Sequence, residues 1–259
     1  MYIDSHCHLN FPELRDRLPE IKAAMTASQV HAAMVISTTI EEFPAVRSLA
    51  EQESAWWCTV GVHPDTEQLT EPDEAMLLDL AAHPKVVGIG ETGLDYYRLN
   101  GRSIEDMEWQ RQRFRTHIRA ARRCGKPLVV HTRSSSEHTL QILKEERAGE
   151  CGGVFHCFTE TAEVARAALD LGFYISFSGI LTFKNAQDLR DVASWVPMER
   201  MLIETDSPFL APVPYRGKVN QPAYVAQVAQ QVAELRGVEV AEVARVTTEN
   251  FMRLFKLTA

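Results

Sequence analysis

The chain has 259 residues, 45% of them hydrophobic and 24% charged, the balance of an ordinary globular protein. That length suits one barrel of alternating strands and helices, with a core large enough to need neither disulfides nor a structural metal. A net charge of −8 argues against a broad basic surface that holds long nucleic acid by phosphate contacts alone; it leaves room for a phosphate-bearing substrate, because bound cations invert a local field.

Tyr2–His6 reads as the first strand. His6 and His8 are two residues apart and so project from one face of it. Two neutral imidazoles on one face are half of a divalent-metal site. Cys7, between them, is expected to face away, and Asp4 is placed to orient one ring. A helix over Leu14–Ala27 follows, then a strand over Ala33–Ser37, a helix over Ile40–Glu53 and a strand over Trp57–Val62 that leads into His63. Glu74–Ala82 is helical, and Val86–Gly90 is a strand that ends at Glu91. The long helix Ile104–Cys124 stops at Gly125-Lys126-Pro127, and the strand Leu128–His131 begins there. Next come a helix over Ser136–Arg147, a strand over Gly153–His156 and a helix over Thr161–Leu171 capped by Thr159 or Thr161. The strand Tyr174–Ser178, the helix Ala186–Ser194 and the strand Met201–Glu204 complete the alternation, with Asp206 just beyond. Pro222–Arg236 and Val240–Phe255 form two closing helices.

This alternation indicates parallel βα units. The economical solution is a single domain over 1–259, an α/β fold of the closed (β/α)8 TIM-barrel type. An open doubly wound sheet is the runner-up, without the Gly-rich phosphate fingerprint after the first strand that its nucleotide-binding versions carry. In either fold, chemistry belongs at the C-terminal ends of the strands. His6, His8, His63, Glu91, His131, His156 and Asp206 all fall there. Singly, each has a bland reading, as a hydrogen-bonded strand-end histidine or a helix-capping carboxylate. On one rim, four of these histidines with Glu91 and Asp206 are already too many ligands for one tetrahedral ion, with His63 extra to the count; they suit two ions with a shared carboxylate. His31, His83, His117 and His138 are expected in helices or their flanking turns, in structural or solvated roles.

The chain resembles the TatD-type metal-dependent hydrolases, the TatD deoxyribonuclease family of the amidohydrolase superfamily. The motifs are Asp4-Ser5-His6-Cys7-His8-Leu9, Gly90-Glu91-Thr92-Gly93-Leu94-Asp95-Tyr96, Pro127-Leu128-Val129-Val130-His131-Thr132-Arg133, His156-Cys157-Phe158, Glu204-Thr205-Asp206-Ser207-Pro208 and Arg216-Gly217-Lys218-Val219-Asn220-Gln221-Pro222. Two stretches depart from the family's usual pattern, Ser134-Ser135-Ser136 and Thr159-Glu160. The resemblance implies a (β/α)8 barrel with a two-metal centre. It places His6, His8 and Asp206 on one cation, His131 and His156 on the other, and Glu91 between both. Asp206 and Glu91 are then the catalytic carboxylates, Asp206 as proton acceptor from an activated water.

Around this centre, Glu204 is either a supporting carboxylate or a solvent-facing one. His63 either faces the substrate or is a strand-end histidine locked by Pro64. Arg133, Arg216, Lys184 and Lys218 are candidates for binding a substrate phosphate. Tyr96 and Tyr97 either stack on a base or ring or, for at least one of them, pack against the barrel rim. Metal identity is open among zinc, manganese, cobalt and magnesium. The resemblance implies a deoxyribonuclease that removes nucleotides from a 3′ end. Hydrolysis of a small ester, lactone, amide or aminoacyl ester by the same centre is the alternative, and an intact ligand set argues against a non-catalytic scaffold. Five cysteines, odd in number and without a CxxC pair, are expected as reduced thiols of a cytoplasmic protein, monomeric in the simplest case. The opening run holds no signal-peptide core, and no apolar stretch nears the roughly 20 residues of a membrane span.

Overall fold

A computed structural model describes residues 1–258. Eight parallel strands run in the order β1 to β8, each hydrogen-bonded to the next. They are β1 (Tyr2–Cys7), β2 (Val30–Val35), β3 (Trp56–Val60), β4 (Val86–Asp95), β5 (Leu128–Arg133), β6 (Gly153–Phe155), β7 (Tyr174–Phe177) and β8 (Met201–Ile203). The chain after β8 closes the ring: Cys7 bridges Ser207, His8 N–H donates to Ser207 O at 2.8 Å, and Asp206 N–H donates to His6 O at 2.9 Å. This is a (β/α)8 barrel, and the open doubly wound alternative is ruled out.

The helices are α1 (Pro12–Arg15), α2 (Leu18–Ala27), α3 (Phe43–Glu51), α4 (Glu74–Ala81), α5 (Glu108–Cys124), α6 (Ser136–Glu145), α7 (Ala162–Asp170), α8 (Gln187–Trp195), α9 (Val225–Arg236) and α10 (Val240–Leu254). None is long and apolar enough to cross a membrane among the described residues. Gly125 ends α5 in the left-handed conformation, φ +68°, which only glycine adopts without strain. Thr161, not Thr159, caps α7 by accepting the Val164 N–H.

Consecutive strand residues divide between two packed layers. Val35, Val130, Phe155, Ile175 and Ile203 join Phe114, Ile118 and Val228 of the surrounding helices. Their neighbours Met34, Val129, Val154, Tyr174 and Leu202 form a second cluster with Phe251, Leu254 and Phe255 at the end of α10. Lys256 then reaches Gly125 O at 2.7 Å, just ahead of β5. The end of α10 therefore crosses the floor of the barrel and seals it with aromatic rings. Only the other end, at the C-terminal ends of the strands, is open to a substrate.

Three expectations are corrected. The helix expected over Leu14–Ala27 is two helices, broken at Asp16 and Arg17, with prolines in the first turn of each; proline lacks the N–H that a helix interior needs. β4 extends five residues beyond Gly90, through Asp95, because it pairs with β5 from Thr92–Val130 to Asp95–Arg133. His31 lies in β2 as its one exposed residue, not in a helix or turn.

Candidate metal centre

Glu91 lies at the middle of the open rim, buried, with its N–H on Ser37 O at 2.9 Å. The preceding Gly90 has φ +151°, and a side chain there would meet Val129 O at 2.6 Å. A side chain on Gly61, just beyond β3, would meet Gly90 Cα at 2.6 Å. Bare backbone on both sides lets the β3 and β4 ends close up and carries the carboxylate inward.

The two Glu91 oxygens face different partners. Oε2 is 3.4 Å from His6 Nε2 and 3.9 Å from His8 Nε2. Oε1 is 2.8 Å from His156 Nε2, 3.1 Å from His131 Nδ1 and 3.4 Å from His63 Nε2. Asp206 completes the first group, with Oδ1 3.4 Å from His8 Nε2 and 3.6 Å from His6 Nε2. The six sequence-predicted ligands, from five separate segments, are thus brought together, and His63 joins them.

The arrangement fits divalent cations. His6 Nε2 and His8 Nε2 are 3.3 Å apart, close enough for one cation to meet both lone pairs. His156 Nε2 is buried close to Glu91, yet it is not aligned for a hydrogen bond and has no other partner among the described residues. An unsatisfied buried polar atom costs about 1–3 kcal/mol, which coordination would remove. Imidazole nitrogens with carboxylate oxygens are the donors of zinc, manganese and cobalt sites. Three overlapping groups can hold an ion: His6 with His156 and Asp206, His6 with His8 and Glu91, and His63 with Glu91 and His131. Burial pushes the Glu91 and Asp206 carboxyls up; the surrounding imidazoles, His156 foremost at Glu91 and His8 at Asp206, outweigh it and hold both below the usual carboxylate range.

Two further carboxylates set the rings. Asp95 Oδ2 is 3.0 Å from His131 Nε2, which turns His131 Nδ1 toward Glu91. Glu204 is buried rather than solvent-facing; its Oε1 is 3.2 Å from His156 Nδ1 and accepts the Cys157 N–H at 2.8 Å. Carboxylates behind ligating imidazoles fix tautomer and ring orientation. Sequence reasoning passed over Asp95, although it lies four positions beyond Glu91 on the same strand. Asp4 does not orient a ring as expected: it accepts from the backbone of Thr205 and His6 and from the Thr205 hydroxyl, and so joins β1 to the chain after β8. Cys7 faces away from the site, with its thiol toward Met34 O.

His63 differs from the other four rings. Its Nδ1 accepts the Asp65 N–H at 3.1 Å, so the ring proton is on Nε2, the atom nearest Glu91 Oε1. Burial lowers its pKa to about 3. A neutral ring with Nε2–H forward offers a hydrogen-bond donor to whatever occupies the site. Two buried side chains one turn apart on α5 hold its loop. Arg113 donates to His63 O at 3.0 Å and Thr66 O at 2.8 Å, and His117 Nε2 accepts the Val62 N–H at 3.0 Å.

A cavity of about 660 Å³ opens above the centre. His8, His63, Glu91, His131, His156 and Asp206 form its base, and Arg98 and Arg133 stand on its wall. Arg216 is not brought there: its guanidinium stacks on Phe183 at 3.7 Å and donates to Ala211 O. Lys184 and Lys218 are exposed and do not line the cavity either. Tyr96 is buried, with its hydroxyl between His138 and Arg111, so it has no face for a base. Tyr97 is exposed beneath the Arg133 guanidinium. The two departures from the family pattern meet each other, with Ser136 Oγ donating to the Glu160 carboxylate.

The family model described as TatD related DNase matches residues 3–256. The chain is 47% identical over 260 aligned residues to the uncharacterized metal-dependent hydrolase YcfH of Escherichia coli K12, covering 99% of this chain and 96% of the relative. It is 33% identical over 247 residues to the 3′-5′ ssDNA/RNA exonuclease TatD of Shigella flexneri serotype 5b, covering 93% of each. Among solved structures, the TatD homologue YJJV of E. coli K12 superposes with a TM-score of 0.88 at 27% identity, covering 99% of this chain and 98% of that one. The chain belongs to the TatD-related DNase family of metal-dependent hydrolases.

Proposed function

We propose that this protein is a phosphodiesterase, dependent on two divalent cations, that removes nucleotides from the 3′ end of single-stranded DNA. The observation that carries this reading is Glu91, with one oxygen toward His6 and His8 and the other toward His131 and His156. A carboxylate shared in this way suits a paired centre for in-line displacement at phosphorus. The exonuclease name of the Shigella relative supports the same substrate. His6, His8 and Asp206 would hold one cation, His131 and His156 the other, and Glu91 both. When bound, the cations supply Lewis acidity that makes water acidic near neutral pH and polarises a phosphoryl oxygen.

The chain's own groups do the rest. Asp206 accepts the proton of the attacking water. The water oxygen forms a bond to phosphorus while the bond from phosphorus to the preceding 3′ oxygen breaks, and that oxygen leaves as an alcohol after taking up a proton. His63 donates Nε2–H to a phosphoryl oxygen, where negative charge builds. Asp95 and Glu204 keep His131 and His156 turned inward. Arg133 attracts a flanking phosphate. Five free cysteines support a reducing, cytoplasmic setting.

The test is a 5′-labelled single-stranded oligonucleotide incubated with the protein and, in turn, manganese, magnesium, zinc and cobalt. A ladder shortening from the 3′ end, abolished by Asp206→Asn, is expected. No shortening with any metal, alongside turnover of a lactone or aminoacyl-ester panel, would replace this reading with carbonyl-ester hydrolysis by the same centre.

A further inference from the structure

We infer that the cavity mouth is a two-ended clamp for a strand terminus, in which Phe11 and Phe209 take the terminal base and Arg98 and Arg133 take the phosphate beyond the scissile one. The clamp rests on the phosphodiesterase reading and adds to it where each part of the strand lies.

The barrel's strand order supplies the geometry. The strands follow one another from β1 to β8, and the chain after β8 closes onto β1. Segments that follow β1 and β8 are therefore diametrically opposite segments that follow β4 and β5. Phe11 follows β1 and Phe209 follows β8, whereas Arg98 follows β4 and Arg133 ends β5. All four line the cavity, and the Glu91 cluster lies between the two pairs.

The two ends differ in chemistry. At the aromatic end, Phe11 stacks on His8 with centroids 4.8 Å apart and planes at 21°. Phe209 stands edge-on to Phe11 at 6.1 Å and 78°, and it is 52% exposed. Leu210 and Ile180 extend this apolar lip. A large exposed ring beside a polar centre is a ready stacking surface for a base, whose π-face binds aromatics whatever its identity. At the other end, Arg98 and Arg133 are the only Lys or Arg side chains that line the cavity among the described residues. All six arginines of α5 (Arg111, Arg113, Arg115, Arg119, Arg122 and Arg123) are paired with glutamates. Neither Arg98 nor Arg133 has a carboxylate within 4.0 Å among the described residues, although Asp65, which also lines the cavity, is close enough to feel the Arg98 charge. The Arg133 guanidinium lies 3.7 Å over Tyr97, which fixes its position and leaves its charge available to an anion. The sequence aromatic ring, metal centre, cation matches base, scissile phosphate, next phosphate. It does not match a neutral ester, which has nothing for the arginines.

The experiment compares three substrates with the metal-loaded protein: a single-stranded tetranucleotide, the same strand with an abasic 3′ terminus, and a dinucleoside monophosphate whose only phosphate is the scissile one. Phe209→Ala should lower kcat/KM on the tetranucleotide about tenfold and affect the abasic strand far less, while Phe209→Trp retains the preference for a base. Arg98→Gln with Arg133→Gln should slow the tetranucleotide and flatten its salt dependence, with little effect on the dinucleoside monophosphate. Equal losses on the paired substrates, for either variant, would overturn the clamp. Should the wild-type protein cut none of the three, the phosphodiesterase reading fails, and the clamp is decided by binding alone. Fluorescence anisotropy of the labelled tetranucleotide must then weaken about tenfold in Phe209→Ala, but not for the abasic strand, or the clamp fails too.

Discussion

Arg113 Nη1 donates to the backbone carbonyl of His63 at 3.0 Å, although the two residues are 50 apart in the chain. The same nitrogen reaches Thr66 O, and Nε grips Glu71 with bonds of 2.8 and 2.9 Å. One buried guanidinium from α5 thus holds the whole turn that presents His63. A small misplacement of a group that meets a transition state costs up to about 100-fold in rate. Arg113→Gln is expected to lower kcat by about 10- to 100-fold while leaving bound metal unchanged. The decisive measurement is the double variant with His63→Gln. Because both residues act through the same Nε2–H, the combined loss should barely exceed that of His63→Gln alone. Losses that multiply would mean that Arg113 acts elsewhere.

Glu204 makes the corresponding prediction on the metal side. It is wholly buried and holds His156 through Nδ1. Glu204→Gln keeps the shape and changes the charge behind the ring. Loss of such a partner weakens metal affinity by about 10- to 100-fold. Titration of the metal-free variant by calorimetry should show one weakened class of site beside one nearly unaffected. Two unchanged classes would reduce Glu204 to a backbone anchor for Cys157.

The sequence reveals those parts of this architecture that depend on local pattern. Apolar runs bounded by Gly, Pro and histidine mark the strands, and their ends point to His6, His131 and His156 because a barrel gathers strand ends on one rim. Where tertiary pairing overrides pattern, the reading falls short. Gly90–Asp95 has no hydrophobic alternation, yet it continues β4 because β5 pairs with it. Asp95 is hidden by that early stop, since a residue placed in a loop has no defined direction toward His131. Arg98 and Arg216 look alike as loop arginines; only packing shows that Phe183 occupies Arg216, whereas Arg98 lines the cavity.

Metal should stabilise the fold as well as serve catalysis. The unsatisfied buried His156 Nε2 is a cost of the metal-free state. A cation at 100 times its Kd adds about 2.7 kcal/mol by mass action, and for a chain of this size that raises Tm by about 5–10 °C. Chelation followed by graded return of manganese or zinc, monitored by thermal melting, should show this rise. Asp206→Asn should blunt it. A Tm indifferent to metal would contradict the donor geometry.

His117 sets a pH dependence of stability that is separate from catalysis. The ring is fully buried on α5, with Nδ1 2.8 Å from Arg113 O and Nε2 accepting the Val62 N–H. Both nitrogens are committed to the neutral form, and burial lowers the pKa from 6.5 to about 4. Above pH 6.5 neither folded nor unfolded chain carries this proton, and the contribution is complete. As pH falls from 6.5 toward 4, the unfolded chain takes up the proton while the folded one refuses it, and stability drains away; below about 4 both are protonated and the loss stops. The full span is worth about 3 kcal/mol, or about 6–12 °C in Tm. His117→Gln keeps one donor and one acceptor without titrating. Its melting temperature should therefore start below the wild-type value at pH 7, and the gap should narrow steadily between pH 6.5 and 4. Curves that run parallel over that window would show that His117 does not titrate with unfolding.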